Sequence, residues 1–208
     1  MMVFYRMIAL GLATLALASC QSTSIKSAWF NPSYTGGAMK KIVVLGVGGT
    51  VSYRRVLEDI FAQRLASAGV ERIPGYTVIP DDAHAAEAPF SAAVEKSGAQ
   101  GALIVRLLGV DTKTQVYTTM VPGGFGWGPY GGLYGGLYGP AWYPQTEVNQ
   151  YDVATVETTL YDVKTRGLVW AATTETLNPV SVAQEAPGYA DLIIKQLTAR
   201  GVIAGPAK

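Results

Sequence analysis

The sequence predicts an α/β (α+β) fold, with a mixed β-sheet, helices packed on it and a long glycine- and aromatic-rich hairpin loop. Two nearly all-apolar runs, "IVVLGV" and "ALIVRLLGV", are typical of strands buried on both faces. A helical pattern separates them, and two stretches rich in Val, Thr and Tyr follow. An alternating first half before an antiparallel pair indicates a mixed sheet. The chain has 208 residues, which suits a single domain.

The first half of the domain reads as strand, helix, strand, helix. The first strand is expected at Ile42–Val47, and "YTVIP" is the second. The second helix is expected to begin after Pro89 and to end at Gly98. Apolar residues at helical spacing predict the first helix, with Gly69 as its end: Leu57, Ile60, Phe61, Leu65 and Ala68. The adjacent acids Glu58 and Asp59 of that helix are expected to be surface charges.

The second half reads as three strands and a helix. "ALIVRLLGV" is the third strand, and "VNQYDVATVETTLYDV" and "GLVWAATTETL" form a hairpin through the turn "KTRG". "GYADLIIKQLTARG" predicts the last helix, with Tyr189 on its buried face. Trp170 alternates with Leu168 and Ala172, so it is expected in the core. The predicted order is β-α-β-α-β-β-β-α.

The N-terminal residues indicate export and lipid attachment. One basic residue, Arg6, precedes an apolar run that is short for a membrane span and ends in small residues. "LASC" resembles the lipobox of bacterial lipoproteins, and its Cys20 is the only cysteine of the chain. The resemblance implies acylation of Cys20 after removal of residues 1–19. Residues 20–39 are then the acylated cysteine and a short tether, and residues 40–204 are the α/β domain.

Charge and anchoring together predict location and exclude some partners. Several acyl chains hold a protein far more firmly than one, so we expect a membrane-anchored domain. Gln21 stands where lipoproteins retained in the inner membrane often carry Asp, which by resemblance favours the outer membrane and its periplasmic face. Without residues 1–19 the sixteen basic residues become fifteen, against fifteen acidic ones. A net charge of zero offers no electrostatic basis for nucleic-acid binding.

A glycine- and aromatic-rich insertion, residues 122–144, interrupts the second half. No charged residue lies between Thr114 and Thr146, and the repeat "GGLYGGLY" falls inside. Its glycine and proline content rules out a membrane helix, and its position makes it a hairpin tip or loop. Tyr and Trp on a glycine-rich loop are typical of recognition surfaces. Contact with a partner or another copy, packing on its own domain, and a flexible insert remain open. The partner-contact candidates are Phe125, Trp127, Tyr130, Tyr134, Tyr138, Trp142 and Tyr143.

The sequence motifs for nucleotide binding, metal binding and catalysis are weak. The turn "GVGGT", Gly46–Thr50, lies where phosphate-binding loops occur, but Val51 breaks the dinucleotide pattern and there is no Walker lysine, so a helix-capping turn is expected. Potential metal ligands gather in "DDAHAAE", yet His84 is the only histidine, which also leaves no catalytic triad. We therefore expect a protein without catalysis, cofactor or metal. The ligands considered are Asp81, Asp82, His84 and Glu87.

The layout as a whole resembles envelope lipoproteins. The series "KKIVVLGV", "RRVLEDIFAQRLASAGV", "YTVIPDD" and "GALIVRLLGV" is similar to the N-terminal domain of TolB, to Lpo-type activators of penicillin-binding proteins and to the curli secretion lipoproteins. It also looks like small Gram-negative outer-membrane lipoproteins without an assigned function. The short tether departs from the long linkers of Lpo-type activators. The resemblance implies a binding or assembly module of the envelope. The alternatives are an oligomeric export component and a nucleotide or small-ligand binder using Gly46–Thr50.

Overall fold

A computed structural model describes residues 23–79, 87–122 and 142–204. They form one mixed six-stranded sheet with three helices, as the sequence predicts for the fold class. The strands are β1 (Thr23–Phe30), β2 (Lys41–Val47), β3 (Glu71–Pro74), β4 (Gly101–Pro122), β5 (Trp142–Asp162) and β6 (Leu168–Leu177). The helices are α1 (Val51–Ser67), α2 (Glu87–Lys96) and α3 (Val182–Ala199).

The strand order across the sheet is β1-β6-β5-β4-β2-β3. Strand β2 is parallel to both β3 and β4, and the other neighbours are antiparallel. Helices α1 and α3 cover one face, where the rings of Phe61 and Tyr189 pack edge to face, with centroids 5.5 Å apart, over a core that includes Trp170. Helix α2 covers part of the other face, where Val94 joins a second, smaller core with Val43 and Ala102. The predicted core positions of Trp170 and Tyr189 are confirmed.

Strand β1 lies inside the segment that the sequence analysis assigned to the tether. Its residues pair antiparallel with β6, from Thr23 opposite Thr176 to Phe30 opposite Trp170. Ile25 and Phe30 pack on the larger core. The expectation of a tether through residue 39 is therefore wrong for residues 23–30, because β6 offers an edge that this segment completes. The stretch has little apolar alternation of its own, so only the pairing identifies it as a strand.

Other boundaries also differ from the prediction. Strand β4 runs on to Pro122 and β5 starts at Trp142 instead of Val148, so the two ends of the insertion predicted at residues 122–144 belong to strands. The second predicted strand, "YTVIP", is replaced by β3 (Glu71–Pro74) and a 3₁₀ turn at Gly75–Thr77. Helix α2 begins at Glu87, before Pro89 instead of after it. Helix α3 begins at Val182, because Ser181 caps it by accepting a hydrogen bond from the backbone N–H of Gln184 at 3.3 Å. The helix therefore includes Pro187. Gly69 follows α1 with φ of +78°, as expected for a glycine that ends a helix.

Candidate interaction surface

Strands β4 and β5 continue beyond the sheet as a two-stranded ribbon. The pairing of β2 with β4 ends at Arg106, and the pairing of β6 with β5 ends at Val153. The two long strands then pair without a third strand for eleven rungs, from Thr112–Asp152 to Pro122–Trp142. At about 3.4 Å per residue the ribbon extends roughly 35 Å from the body of the domain. We call residues 112–122 and 142–152 the ribbon.

Side chains on both faces of the ribbon are exposed. Every residue from 111 to 120 and from 143 to 150 is exposed, so none of the described residues covers either face. The two faces differ in charge, because successive side chains alternate between them. The face that we call the apolar ribbon face holds four apolar residues, Val116, Met120, Pro144 and Val148, among the polar residues Thr112, Thr114, Thr118, Thr146, Gln150 and Asp152. The charged ribbon face holds Lys113, Gln115, Tyr117, Thr119 and Val121 with Tyr143, Gln145, Glu147, Asn149 and Tyr151.

The apolar ribbon face has a single charged group. Asp152 lies at the root of the ribbon, where its Oδ1 accepts a hydrogen bond from the Thr112 hydroxyl at 2.7 Å. Further out, Val116 stands opposite Val148, and Met120 opposite Pro144. The side chains of Val116, Val148 and Met120 are 60 to 61% exposed. Exposed apolar side chains gathered on one face in this way indicate a contact surface.

The ribbon leaves the sheet at the end where β1 begins. Thr23, Thr176, Ala154 and Val110 form one row across strands β1, β6, β5 and β4. The hydroxyls of Thr23 and Thr176 are 2.8 Å apart. Cys20 precedes Thr23 by three residues, which span at most about 11 Å. The predicted lipid attachment and the ribbon therefore belong to the same end of the domain.

An ion cluster joins the ribbon root to this end of β1. Glu175 of β6 lies 3.0 Å from the Lys26 Nζ of β1 and 3.6 Å from the Lys113 Nζ of the ribbon. The hydrogen bond from Lys26, with the charges of Lys113 and Lys26, holds the pKa of Glu175 below its ordinary value. Because the two lysines are exposed and Glu175 is half-buried, each ion pair contributes little to stability.

An apolar cleft of about 200 Å³ opens at the ribbon root, on the side of the apolar ribbon face. It lies between the first turns of α1 and α3 and the sheet. Val110 and Ala154 line it and also form the row from which the ribbon leaves. Pro179 and Val180, just before α3, line it from the other side. The cleft and the apolar ribbon face therefore form one continuous surface.

The glycine turn Gly46–Thr50 serves the fold locally. Gly48 and Gly49 have φ of +87° and +73°, a conformation that favours glycine. Thr50 caps α1, accepting a hydrogen bond from the Tyr53 N–H at 3.2 Å. A side chain at Gly46 would stand 2.8 Å from the Cγ of Arg54. The prediction of a helix-capping turn is confirmed.

Glu58 is a buried carboxylate, and the expectation that it is a surface charge is wrong. Its side chain is 1% exposed. Oε1 accepts a hydrogen bond from the Gly46 N–H at 3.0 Å, Oε2 accepts one from the Tyr76 N–H at 2.7 Å, and Oε1 lies 3.9 Å from Nε of Arg54. Burial raises the pKa of Glu58, although these hydrogen bonds and the Arg54 charge act in the opposite direction. The signal was present in the sequence, because Arg54 and Glu58 share the helical stripe of Phe61 and Leu65.

The four potential metal ligands that the sequence analysis considered and set aside are only partly described. Asp81, Asp82 and His84 lie outside the described residues, as does the side chain of Glu87. Within residues 23–79, 87–122 and 142–204, no three His, Cys, Asp or Glu side chains come together to hold a metal ion. Asp59, predicted at the surface, is exposed and accepts a hydrogen bond from the Tyr76 hydroxyl at 2.6 Å.

Most of the predicted contact residues also lie outside the described part of the chain. Trp142 pairs with Pro122 at the last rung of the ribbon, and Tyr143 follows on the charged ribbon face with its side chain exposed. The sequence analysis missed Val116, Val148 and Met120 as surface residues, although their alternation with polar residues was a signal. The predicted residues that are not described are Cys20, Phe125, Trp127, Tyr130, Tyr134 and Tyr138.

No helix in the described part of the chain has both the length and the apolar character needed to cross a membrane. No protein-family model matches the chain, and no curated protein matches its sequence. Similar solved structures include two PelC dodecamers from Paraburkholderia phytofirmans. One has 16% identity and a TM-score of 0.46, covering 84% of this chain and 99% of that chain. The other has 17% identity and a TM-score of 0.45, covering 88% and 98%.

A third similar structure is the lipoprotein GNA1162 from Neisseria meningitidis. Its identity is 13% and its TM-score 0.41, covering 76% of this chain and 98% of that chain. At these TM-scores, the likenesses carry no argument about what this chain does.

Proposed function

We propose that this chain is a cell-envelope lipoprotein, anchored through Cys20 in the outer membrane on the periplasmic side, and that it acts as a non-catalytic binding or assembly module. The ribbon and the glycine- and aromatic-rich segment at its end form the contact surface. One observation carries the proposal: the row Thr23–Thr176–Ala154–Val110 puts the start of β1 and the root of the ribbon at one end of the sheet.

The short distance from β1 to Cys20 ties this end of the domain to the membrane. With at most about 11 Å between Thr23 and Cys20, an acylated chain keeps the ribbon root beside the lipid headgroups. The strand β1 strengthens this conclusion, because residues 23–30 are paired in the sheet and add no length to a tether. The contact surface therefore serves partners at the membrane, not partners across the periplasm.

The ribbon has the properties of a binding element. A two-stranded hairpin is marginally stable in water unless another layer covers it. Here the ribbon extends roughly 35 Å at about 3.4 Å per residue and is exposed on both faces. The uncharged segment that follows it offers flat aromatic side chains for contact. A partner that covers the ribbon would supply the missing layer.

Photo-crosslinking in cells tests this function. A photo-reactive amino acid replaces Tyr143 at the ribbon end, or Tyr134 in the glycine-rich segment, in the acylated protein. The control position is Lys164, which is exposed in the β5–β6 turn at the opposite end of the sheet. We expect crosslinks to a protein from Tyr143 and Tyr134 but not from Lys164. Equal crosslinking at all three positions, or none, would contradict the proposal.

Anchoring is tested separately. Labelling cells with a radioactive fatty acid should mark the wild-type protein, and Cys20→Ala should abolish both the label and sedimentation with outer membranes. A Cys20→Ala protein that still carries the label or remains in the outer membrane would contradict the anchoring.

A further inference from the structure

We infer that the partner of the apolar ribbon face is the same face of a second copy of this chain, with the two ribbons antiparallel. This inference rests on the proposed function, in which the ribbon is the contact surface, and it names one partner of that surface. Each copy would provide the second layer that the other copy's ribbon lacks.

The arrangement of apolar groups along the face is self-complementary. Val116 and Val148 form the central pair, Met120 and Pro144 lie toward the ribbon end, and the cleft lies at the root. A two-fold axis through the central pair apposes the valines of the two copies. It also places Met120, four residues from the axis, opposite the partner's row of Thr112 and Asp152, about 7 Å from the row at Val110 that lines the cleft. The methionine of each copy then lies beside the mouth of the other copy's cleft.

The charges of the face favour pairing between identical copies. Its single charged group, Asp152, lies four residues from the axis at Val148, so the two copies of Asp152 are separated by about 27 Å along the ribbons. Like charges therefore do not meet. Repulsion between like charges is the usual obstacle to contact between identical surfaces. The other two charged groups of the ribbon, Lys113 and Glu147, lie on the opposite face, outside this contact.

The membrane anchor also favours an antiparallel pair. The ribbon, roughly 35 Å long, is about three times longer than the reach from Thr23 to Cys20. The outer edges of a two-stranded ribbon carry unpaired backbone N–H and C=O groups, which the hydrocarbon core of a membrane cannot satisfy. The ribbon therefore cannot enter the membrane lengthwise alone. The ribbon of an anchored copy therefore runs along the membrane surface. Two such ribbons, related by a two-fold axis along the membrane normal, are antiparallel.

Cysteine crosslinking in membranes tests the pairing. Val116→Cys is introduced into the acylated protein, and membranes are treated with a short bismaleimide. The matched control is Tyr117→Cys, the next residue along the strand on the charged ribbon face, which is 45% exposed against 60% for Val116. We expect a crosslinked dimer from Val116→Cys and little from Tyr117→Cys. Equal yields from the two positions, or no dimer from either, would overturn the inference.

Two further variants test the antiparallel direction. Met120→Cys protein coexpressed with Val180→Cys protein should give a mixed dimer, because Val180 lines the cleft at the partner's root. Met120→Cys alone should crosslink poorly, since the two methionines lie about 27 Å apart along the ribbons. Strong self-crosslinking of Met120→Cys, or no mixed dimer, would overturn the antiparallel pairing.

A charge substitution gives an independent measure in detergent. Val116→Glu should weaken dimerisation by at least about tenfold, because an unpaired carboxylate would be buried at the interface. Tyr117→Glu should leave the dimer intact, and urea unfolding of each variant checks that the domain is folded. Equal effects of the two substitutions would overturn the inference. Failure of these tests leaves the proposed function standing if Tyr143 still crosslinks to another protein and Cys20 is still acylated.

Discussion

Replacing Glu58 with alanine would remove the carboxylate that links α1 to two other parts of the fold. Its oxygens accept hydrogen bonds from the backbone N–H of Gly46, at the end of β2, and of Tyr76, in the 3₁₀ turn after β3. Both donors belong to a closely packed region, since a side chain at Gly75 would stand 2.5 Å from Leu45. Water therefore has little access to replace the carboxylate.

The expected loss of stability is about 3–5 kcal/mol. Hydrogen bonds to a charged acceptor contribute about 1.5–3 kcal/mol each, and Glu58 makes two to the backbone. Removing one partner of a buried ion pair costs about 3–5 kcal/mol, and Arg54 is the partner here. The desolvation of the buried carboxylate, which raises its pKa, offsets part of the energy of the hydrogen bonds and the ion pair. We therefore expect about 3–5 kcal/mol and not the sum of the two contributions. The loss is large against a total of about 5–15 kcal/mol.

Urea unfolding followed by circular dichroism measures this loss. We expect the midpoint of Glu58→Ala to fall strongly with an unchanged slope. The matched control is Asp59→Ala, which removes the neighbouring exposed acid and should cost less than about 1 kcal/mol. A loss for Glu58→Ala as small as that of Asp59→Ala would refute the reasoning from burial.

The pH dependence supplies a second measurement. Because the pKa of Glu58 is raised in the folded state, its contribution to stability is fully present below the ordinary carboxyl pKa and is lost as pH rises through the folded value. Acidification toward pH 4.5, the ordinary value, should therefore stabilise the wild type relative to Glu58→Gln, which cannot ionise. A difference between the two proteins that does not change with pH would contradict the raised pKa.

Three further predictions concern the core, β1 and the ribbon. Burial raises the pKa of Tyr189 to about 12. Between pH 10 and 12 the wild type should therefore lose about 2–3 kcal/mol of unfolding free energy that Tyr189→Phe retains. Urea unfolding measures the difference, and equal losses in the two proteins would contradict the prediction. Deleting residues 23–30 should lower the melting temperature by several degrees, because β6 loses its neighbour; an unchanged value would make β1 dispensable. Joining Asp111 to Val153 through Asn-Gly, which removes the ribbon, should leave the melting temperature nearly unchanged; a large fall would show that the ribbon supports the core.

Local patterns in the sequence were sufficient for most of the fold. The apolar runs predicted β2 and β4, and the spacing of Leu57, Phe61 and Leu65 predicted α1 with its end at Gly69. The alternation of Val and Thr with polar residues predicted the β5–β6 hairpin. These features depend on contacts within one element or between chain neighbours, so the periodicity of side chains records them directly.

Only the tertiary structure decided β1, the hydrogen-bond partners of Glu58 and the length of the ribbon. Strand β1 exists because β6 has a free edge, and Glu58 has backbone donors because β2 and the turn at Tyr76 lie against it. The hairpin was predictable, but the row at Val110 where β4 and β5 leave the sheet depends on where β2 and β6 end. Each of these features is set by residues distant in sequence, and a local pattern does not record where a distant partner ends.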